Sequence, residues 1–247
     1  IVSTISSNVI LPCAACEVQK LIGAEHATCY DMSAACSGFV LAYNAAQAYI
    51  AAGMYRTVLI IGSESLSNLT NWKDRGTCIL FGDGAGAAVI KAFEERFYLP
   101  VTHSEGAKGE ALTCLSRHAQ ADAARMTDAE YFMQMDGHAV FKFAVKRVPE
   151  VIGEVLEKNK VKRSDVAWYC MHQANRRIVE SVAKRLDEPI EKFPMNLQEY
   201  GNTSSASIGI LLDEMNRAGQ LEKGQKIVLA GFGAGLTWGA CIAEWMK

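Results

Sequence analysis

The sequence predicts an α/β protein built from two similar halves, and three observations lead to that reading. Short apolar runs alternate with helical runs along most of the chain. The run TVLIIG at 57–62 is continuously apolar, as a strand buried on both faces would be. The stretches AAGMYRTVLIIG and RAGQLEKGQKIVLAG each close a helical run and lead into a strand, so the chain repeats itself.

Taken in order, IVSTI at 1–5 reads as a strand, and 12–22 as a helix that Pro12 can open because its missing N–H is not needed there. A strand follows at 28–32, a helix at 37–52, the strand 57–62 and a further strand at AGAAVIKA after Gly84. A polar, irregular region runs from about 103 to 130. The alternation resumes with a helix at 138–159, a strand at 166–171, helices at 175–186 and 204–217, and strands at 226–230 and 236–243. The expected division is a first half over 1–104, a connecting segment over 105–136 and a second half over 137–247.

Aligning the helix ends at Ala52–Gly53 and Ala218–Gly219 and counting back equally sets Cys36 opposite Asn202. The spacing from His172 to Asn202, counted back from Cys36, reaches Ser6. The second half carries a long helical run, VFKFAVKRVPEVIGEVLEKNK, ahead of its strand at 166–171. The first half opens directly on its strand, and this asymmetry predicts a covering segment upstream of Ile1.

At 247 residues, half of them hydrophobic, the chain can bury a large core. Its net charge of -2 provides no sign-biased field and excludes a dedicated binder of nucleic acid or membrane surfaces. No apolar run approaches the roughly 18 residues of a membrane span, and no leader pattern opens the sequence, so a soluble, cytoplasmic protein is expected. The eight cysteines, at 13, 16, 29, 36, 78, 114, 170 and 241, are too few for a disulfide scaffold of this length and read as reduced thiols.

Among them Cys36 stands apart. It sits where a short strand-like run meets a long helical one, and a helix entrance favours thiolate through its free N–H groups; its pKa is expected to fall from ~8.5 toward neutrality. Ala34, Ala35, Ser37 and Gly38 leave room beside the sulfur. The other seven cysteines read as apolar filler. CAAC at 13–16 has no second ligand pair at metal spacing and falls inside a helical run, so it too reads as structural, and no metal site is expected.

FGDGAGAAV and GFGAGLTWG resemble phosphate loops, but both run into strands rather than helices and so lack the N-terminus that would hold a phosphate. The first reads as a tight turn; the glycines of the second allow a backbone N–H to approach a reacting centre. His172, in CMHQANRRI, closes an apolar strand ahead of a helix, a common position for functional groups in α/β sheets. Asn202, in EYGNTSSASIGI, precedes a helix, where capping is the alternative role.

DMSAACSGF, DRGTCILFGDGAGAAV, HQANRRI, GNTSSAS and GFGAGLTWG, in this order and spacing over the whole chain, resemble the β-ketoacyl-acyl-carrier-protein synthase III family, which initiates type II fatty acid synthesis. The resemblance implies a thiolase-like fold, two βαβαβ-type repeats in a five-layer αβαβα sandwich, with the first repeat N-terminally incomplete. It implies a homodimer without cofactor, acting on acyl-CoA and malonyl-acyl carrier protein. By position, the family's catalytic groups fall on Cys36, His172 and Asn202, and its backbone oxyanion donors on Cys36 and Ala234, where the family usually has glycine.

Leu11 matches the residue that the family sends across the dimer into the acyl pocket, and Met135 is a second expected pocket residue. Arg177, Lys184 and Arg185 recur at i, i+7 and i+8, on one helical face beside which the family docks its acidic carrier; Arg176 and Lys142 are weaker candidates. Asn202, rather than a second histidine or cysteine, favours initiation over an elongating synthase or a thiolase. A non-catalytic subunit would lack Cys36. A catalytically impaired fragment of such a synthase is the remaining alternative.

Overall fold

The computed structural model describes residues 1–93, 97–115, 127 and 131–247. Two four-stranded sheets organise it. In the first, β2 (Asp31–Met32), β1 (Val2–Ser3), β3 (Thr57–Ser65) and β4 (Asp83–Lys91) lie in that order, with only β4 antiparallel. In the second the order is β5 (Val101–Ser104), β10 (Thr237–Glu244), β9 (Lys226–Gly233), β8 (Val166–Met171), with β8 and β9 parallel. A separate ribbon joins β6 (Leu112–Thr113) to β7 (Gln134–Met135).

Helices α2 (Gly38–Ala51) and α5 (Ser207–Arg217) lie between the sheets. Phe39, Val40 and Tyr43 from α2 and Ile208, Leu211 and Met215 from α5 pack there with Ile60 of β3 and Ile227 and Leu229 of β9. The alternate residues Val228 and Ala230 face the other way. They meet a second core from α3 (Gly137–Lys158) and α4 (Arg176–Leu186), including Val148, Ile152, Val182 and Leu186. Alternation along β9 thus buries both faces of the second sheet.

The first sheet is more fully buried on one face than on the other. Residues of β3 alternate between buried and half-buried, and Val89 of β4 is 60% exposed, so the two-sided burial expected for TVLIIG is not met among the described residues. The helix α1 (Ala14–Ile22) has Leu21 and Ile22 exposed, whereas its counterpart α4 packs against the long α3.

Two further expectations change. The boundary after residue 104 falls too late: β5 pairs with β10, which puts 101–104 in the second sheet. Residues 116–126 and 128–130 of the connecting segment lie outside the described residues.

The internal repeat holds at the helix ends and slips at their beginnings. Ala52 and Ala218 share φ -77 and ψ -2, and Gly53 and Gly219 follow at φ 71 and φ 68. However, α2 has 14 residues and α5 has 11. Each is preceded by a 3-10 turn, 35–37 and 204–206, opened by a left-handed residue, Ala35 at φ 43 and Ser204 at φ 48. The counterpart of Cys36 is therefore Ser205, and Asn202 lies just upstream of that turn.

Candidate active site

Each 3-10 turn sits on a strand of the opposite half. Turn 35–37 lies over β9, where a Cβ at Gly231 would stand 3.1 Å from the Cα of Ser37 and one at Gly233 would stand 2.7 Å from the Cβ of Cys36. Turn 204–206 lies over β3, where a Cβ at Gly62 would run into the Ser205 carbonyl. Glycine is required at these strand positions because backbone or nucleophile occupies the space a side chain would need.

Cys36 is 6% exposed. Burial pushes its thiol up to about 12, the opposite of the expected fall. The Ser204 hydroxyl and the residue's own backbone N–H act downward, Glu64 acts upward, and loss of water around the sulfur outweighs them all.

His172 follows β8, held by its backbone N–H to the Ala230 carbonyl at 2.8 Å. Its ring lies edge-on to Phe232, and Nδ1 is 2.7 Å from Ser207 Oγ. Burial takes the imidazole down to about 3, so it is neutral at physiological pH.

Asn202 is clamped by the first glycine loop. Its N–H donates to the Leu80 carbonyl at 2.8 Å and its carbonyl accepts from Gly82 N–H at 3.0 Å. FGDG is thus more than a turn, since it fixes Asn202 from the other half. The side-chain Oδ1 accepts from Ser204 N–H at 2.9 Å, which orients the amide and leaves Nδ2 as its donor end.

Ser204 joins all three residues. Its N–H donates to Asn202, its carbonyl lies 2.9 Å from Ser207 Oγ, Ser207 reaches His172, and its buried hydroxyl, without a hydrogen-bond partner among the described residues, acts to lower the Cys36 pKa. Beneath it lies Glu64, buried in β3, which accepts from Ser205 at 2.7 Å, from Ser6 at 2.6 Å and from Ile5 N–H at 3.0 Å. Ser204, Ser207 and Glu64 were missed by sequence reasoning. The one signal was a carboxylate in the apolar run IIGSES, a placement that demands partners.

Ala234 follows Gly233 in the turn against Cys36, and its carbonyl accepts from Thr237 Oγ1 at 3.0 Å. Leu11 is 84% exposed. Met135 lies on the β6–β7 ribbon opposite Leu112. On α4, Arg177, Lys184 and Arg185 are all exposed, but Arg185 donates to the Val145 carbonyl at 2.9 Å and Arg176 is paired with Glu180 at 2.7 Å. Lys142 is exposed on α3.

Two sheet-and-helix halves, one with a buried cysteine at a helix entrance and the other with a histidine after a strand and an asparagine before a helix, make up a thiolase-like fold. Residues 30–106 match the model of 3-oxoacyl-[acyl-carrier-protein (ACP)] synthase III and residues 156–245 that of its C-terminal region. Beta-ketoacyl-[acyl-carrier-protein] synthase III of Clostridium acetobutylicum is 43% identical over 251 residues, covering 100% of this chain and 77% of that protein. Its Clostridium botulinum counterpart is 46% identical over 248 residues, covering 99% and 76%. The crystal structure of the Aquifex aeolicus synthase superposes with a TM-score of 0.90 at 39% identity, over 99% of this chain and 76% of that one. The chain belongs to the β-ketoacyl-[acyl-carrier-protein] synthase III family and is an acyltransferase of fatty acid synthesis.

Proposed function

We propose that Cys36 takes an acyl group from acetyl-CoA or a short branched acyl-CoA and that His172 and Asn202 then drive its condensation with malonyl-acyl carrier protein. The observation that carries this reading is Ser204, whose N–H holds Asn202, whose carbonyl meets the Ser207 hydroxyl that reaches His172, and whose hydroxyl acts on the Cys36 thiol.

In the first stage the Cys36 sulfur attacks the thioester carbonyl, CoA leaves, and the thiol proton ends on the departing sulfur. Backbone N–H groups of Cys36 and Ala234 hold the tetrahedral oxyanion. In the second stage malonyl-carrier loses carbon dioxide, and the resulting enolate oxygen is held by Asn202 Nδ2 and His172 Nε2. The enolate carbon attacks the acyl-Cys36 carbonyl and forms the new carbon–carbon bond; collapse of the tetrahedral oxyanion restores a carbonyl and expels the Cys36 thiolate, which takes a proton from solvent.

A neutral His172 suits this role, because a hydrogen-bond donor in a dry site need not carry charge. Arg177 and Lys184 are the carrier contacts on α4, with Arg185, tied to Val145, as a partial one. A homodimer in which Leu11 enters the partner's acyl pocket, with Met135 lining that pocket, accords with the exposure of Leu11. The cytoplasm is the proposed location, where CoA thioesters and carrier protein meet the enzyme. No cofactor is required.

Mass spectrometry after incubation with acyl-CoAs tests the first stage: one acyl mass belongs on a Cys36 peptide and disappears in Cys36→Ala. Acylation of another cysteine would overturn the assignment. For the second stage, Asn202→Ala should slow malonyl decarboxylation by on the order of 10²–10³, the loss typical of removing an oxyanion donor, and spare acyl transfer.

A further inference from the structure

We propose that Cys13 and Cys16 form a reversible dithiol–disulfide site that exchanges with low-molecular-weight disulfides. The proposed condensation uses neither residue. Their Sγ atoms are 3.4 Å apart, and both side chains are partly exposed.

The local backbone explains the contact. Cys13 is the extended N-cap of α1, at φ -67 and ψ 156, and its carbonyl accepts the first helical bonds from Cys16 N–H at 3.0 Å and Glu17 N–H at 3.3 Å. An extended cap followed by a helical residue one turn on directs both side chains to the same end of the helix. A disulfide needs an S–S distance of about 2.05 Å, so the sulfurs must close by about 1.4 Å, within reach of side-chain rotation. The Asp31 carboxylate already holds the Ala14 and Ala15 N–H groups at 2.8 Å each, so closure leaves the helix start intact. By contrast Cys36, Cys170 and Cys241 are buried.

The exchange balances without any other reactant. A Cys13 thiolate attacks one sulfur of the small disulfide and releases one thiolate, leaving a mixed disulfide. The Cys16 thiolate then attacks the Cys13 sulfur, forms the Cys13–Cys16 bond and releases the second thiolate. The two protein thiols are oxidised, the small disulfide is reduced to two thiols, and the protein's two thiol protons pass to them. Contact with Cys13 raises the Cys16 pKa.

The full chain, incubated with glutathione disulfide, alkylated and mapped by mass spectrometry, provides the test. The expected peptide containing Cys13 and Cys16 has no alkyl group and lacks the two thiol hydrogens, and dithiothreitol restores alkylation at both positions. Cys16→Ser, treated alike, should retain one glutathione on Cys13. The proposal is overturned if both cysteines of the parent chain remain alkylatable, if glutathione stays attached to either, or if Cys13 joins any cysteine other than Cys16.

Discussion

His172 Nδ1 and Ser207 Oγ stand 2.7 Å apart in the interior, and Ser207 has one proton for two acceptors. The other acceptor is the Ser204 carbonyl at 2.9 Å. Given to Nδ1, the proton leaves Nε2 as a donor, the arrangement the proposed role of His172 requires; given to Ser204, it requires Nδ1–H and leaves Nε2 a lone pair. Because burial keeps the ring neutral, the Ser207 hydroxyl determines which face of His172 a substrate meets.

Ser207→Ala should accordingly slow malonyl decarboxylation by about 10- to 100-fold and leave acylation of Cys36 near the parent rate, by analogy with losing one oxyanion contact. Ser207→Thr keeps the hydroxyl and should recover most of the loss. Stopped-flow acylation and carbon dioxide release measured on the same preparations separate the two stages. Equal losses in both would make Ser207 a purely structural residue.

The Cys36 pKa gives a pH test. A thiol raised to about 12 is almost entirely protonated at neutral pH, so its thiolate fraction climbs about tenfold per pH unit well beyond the ~8.5 where an ordinary cysteine levels off. Iodoacetamide modification of Cys36, followed by peptide mapping, should still be accelerating at pH 9.5. A plateau below pH 8.5 would mean that the helix entrance dominates burial after all.

Much of the fold was legible in the sequence because period and punctuation are local. The strand at 166–171 and the helix ends at Ala52 and Ala218 sit where apolar spacing and glycine put them. Partners were not legible. The fall expected for Cys36 considered only its own helix, whereas burial by β9 and the charge on Glu64 come from elsewhere in the chain. Ser204 and Ser207 look like ordinary residues of a helix start until the turn sets them between His172, Asn202 and Cys36. Counting back from the helix ends failed because α5 is shorter than α2, a difference carrying no compositional mark.

Charge on α4 makes a separable prediction. Arg177→Glu with Lys184→Glu should raise the apparent KM for malonyl-carrier protein by about tenfold at low salt, and the parent's own KM should rise with salt, since such steering is screened over ~8–10 Å. The acyl-CoA half-reaction should hardly change. Steady-state kinetics with each substrate varied at two ionic strengths decides it, and parallel weakening toward both substrates would assign the face to CoA or to folding.

Gly86 of β4 meets the backbone of α5 directly, so a methyl there would collide with the Ile210 amide and with Gly209. Gly86→Ala should cost about 1–3 kcal/mol, the usual range for forced overpacking, because neither backbone can step aside cheaply. Gly106→Ala, with open space around the added methyl, should stay within about 0.5 kcal/mol. Urea unfolding of the two variants beside the parent chain gives the comparison.

The crossing of the two 3-10 turns, each seated on the other half's strand, makes the duplicated architecture indivisible. A chain cut in the 105–136 segment would leave turn 35–37 without Gly231 and Gly233 beneath it, and turn 204–206 without Gly62 and Glu64. Neither piece could present a finished nucleophile alone. Complementation of separately expressed pieces would require them to exchange turns as they associate, so recovered activity would follow their joint concentration rather than the amount of either one.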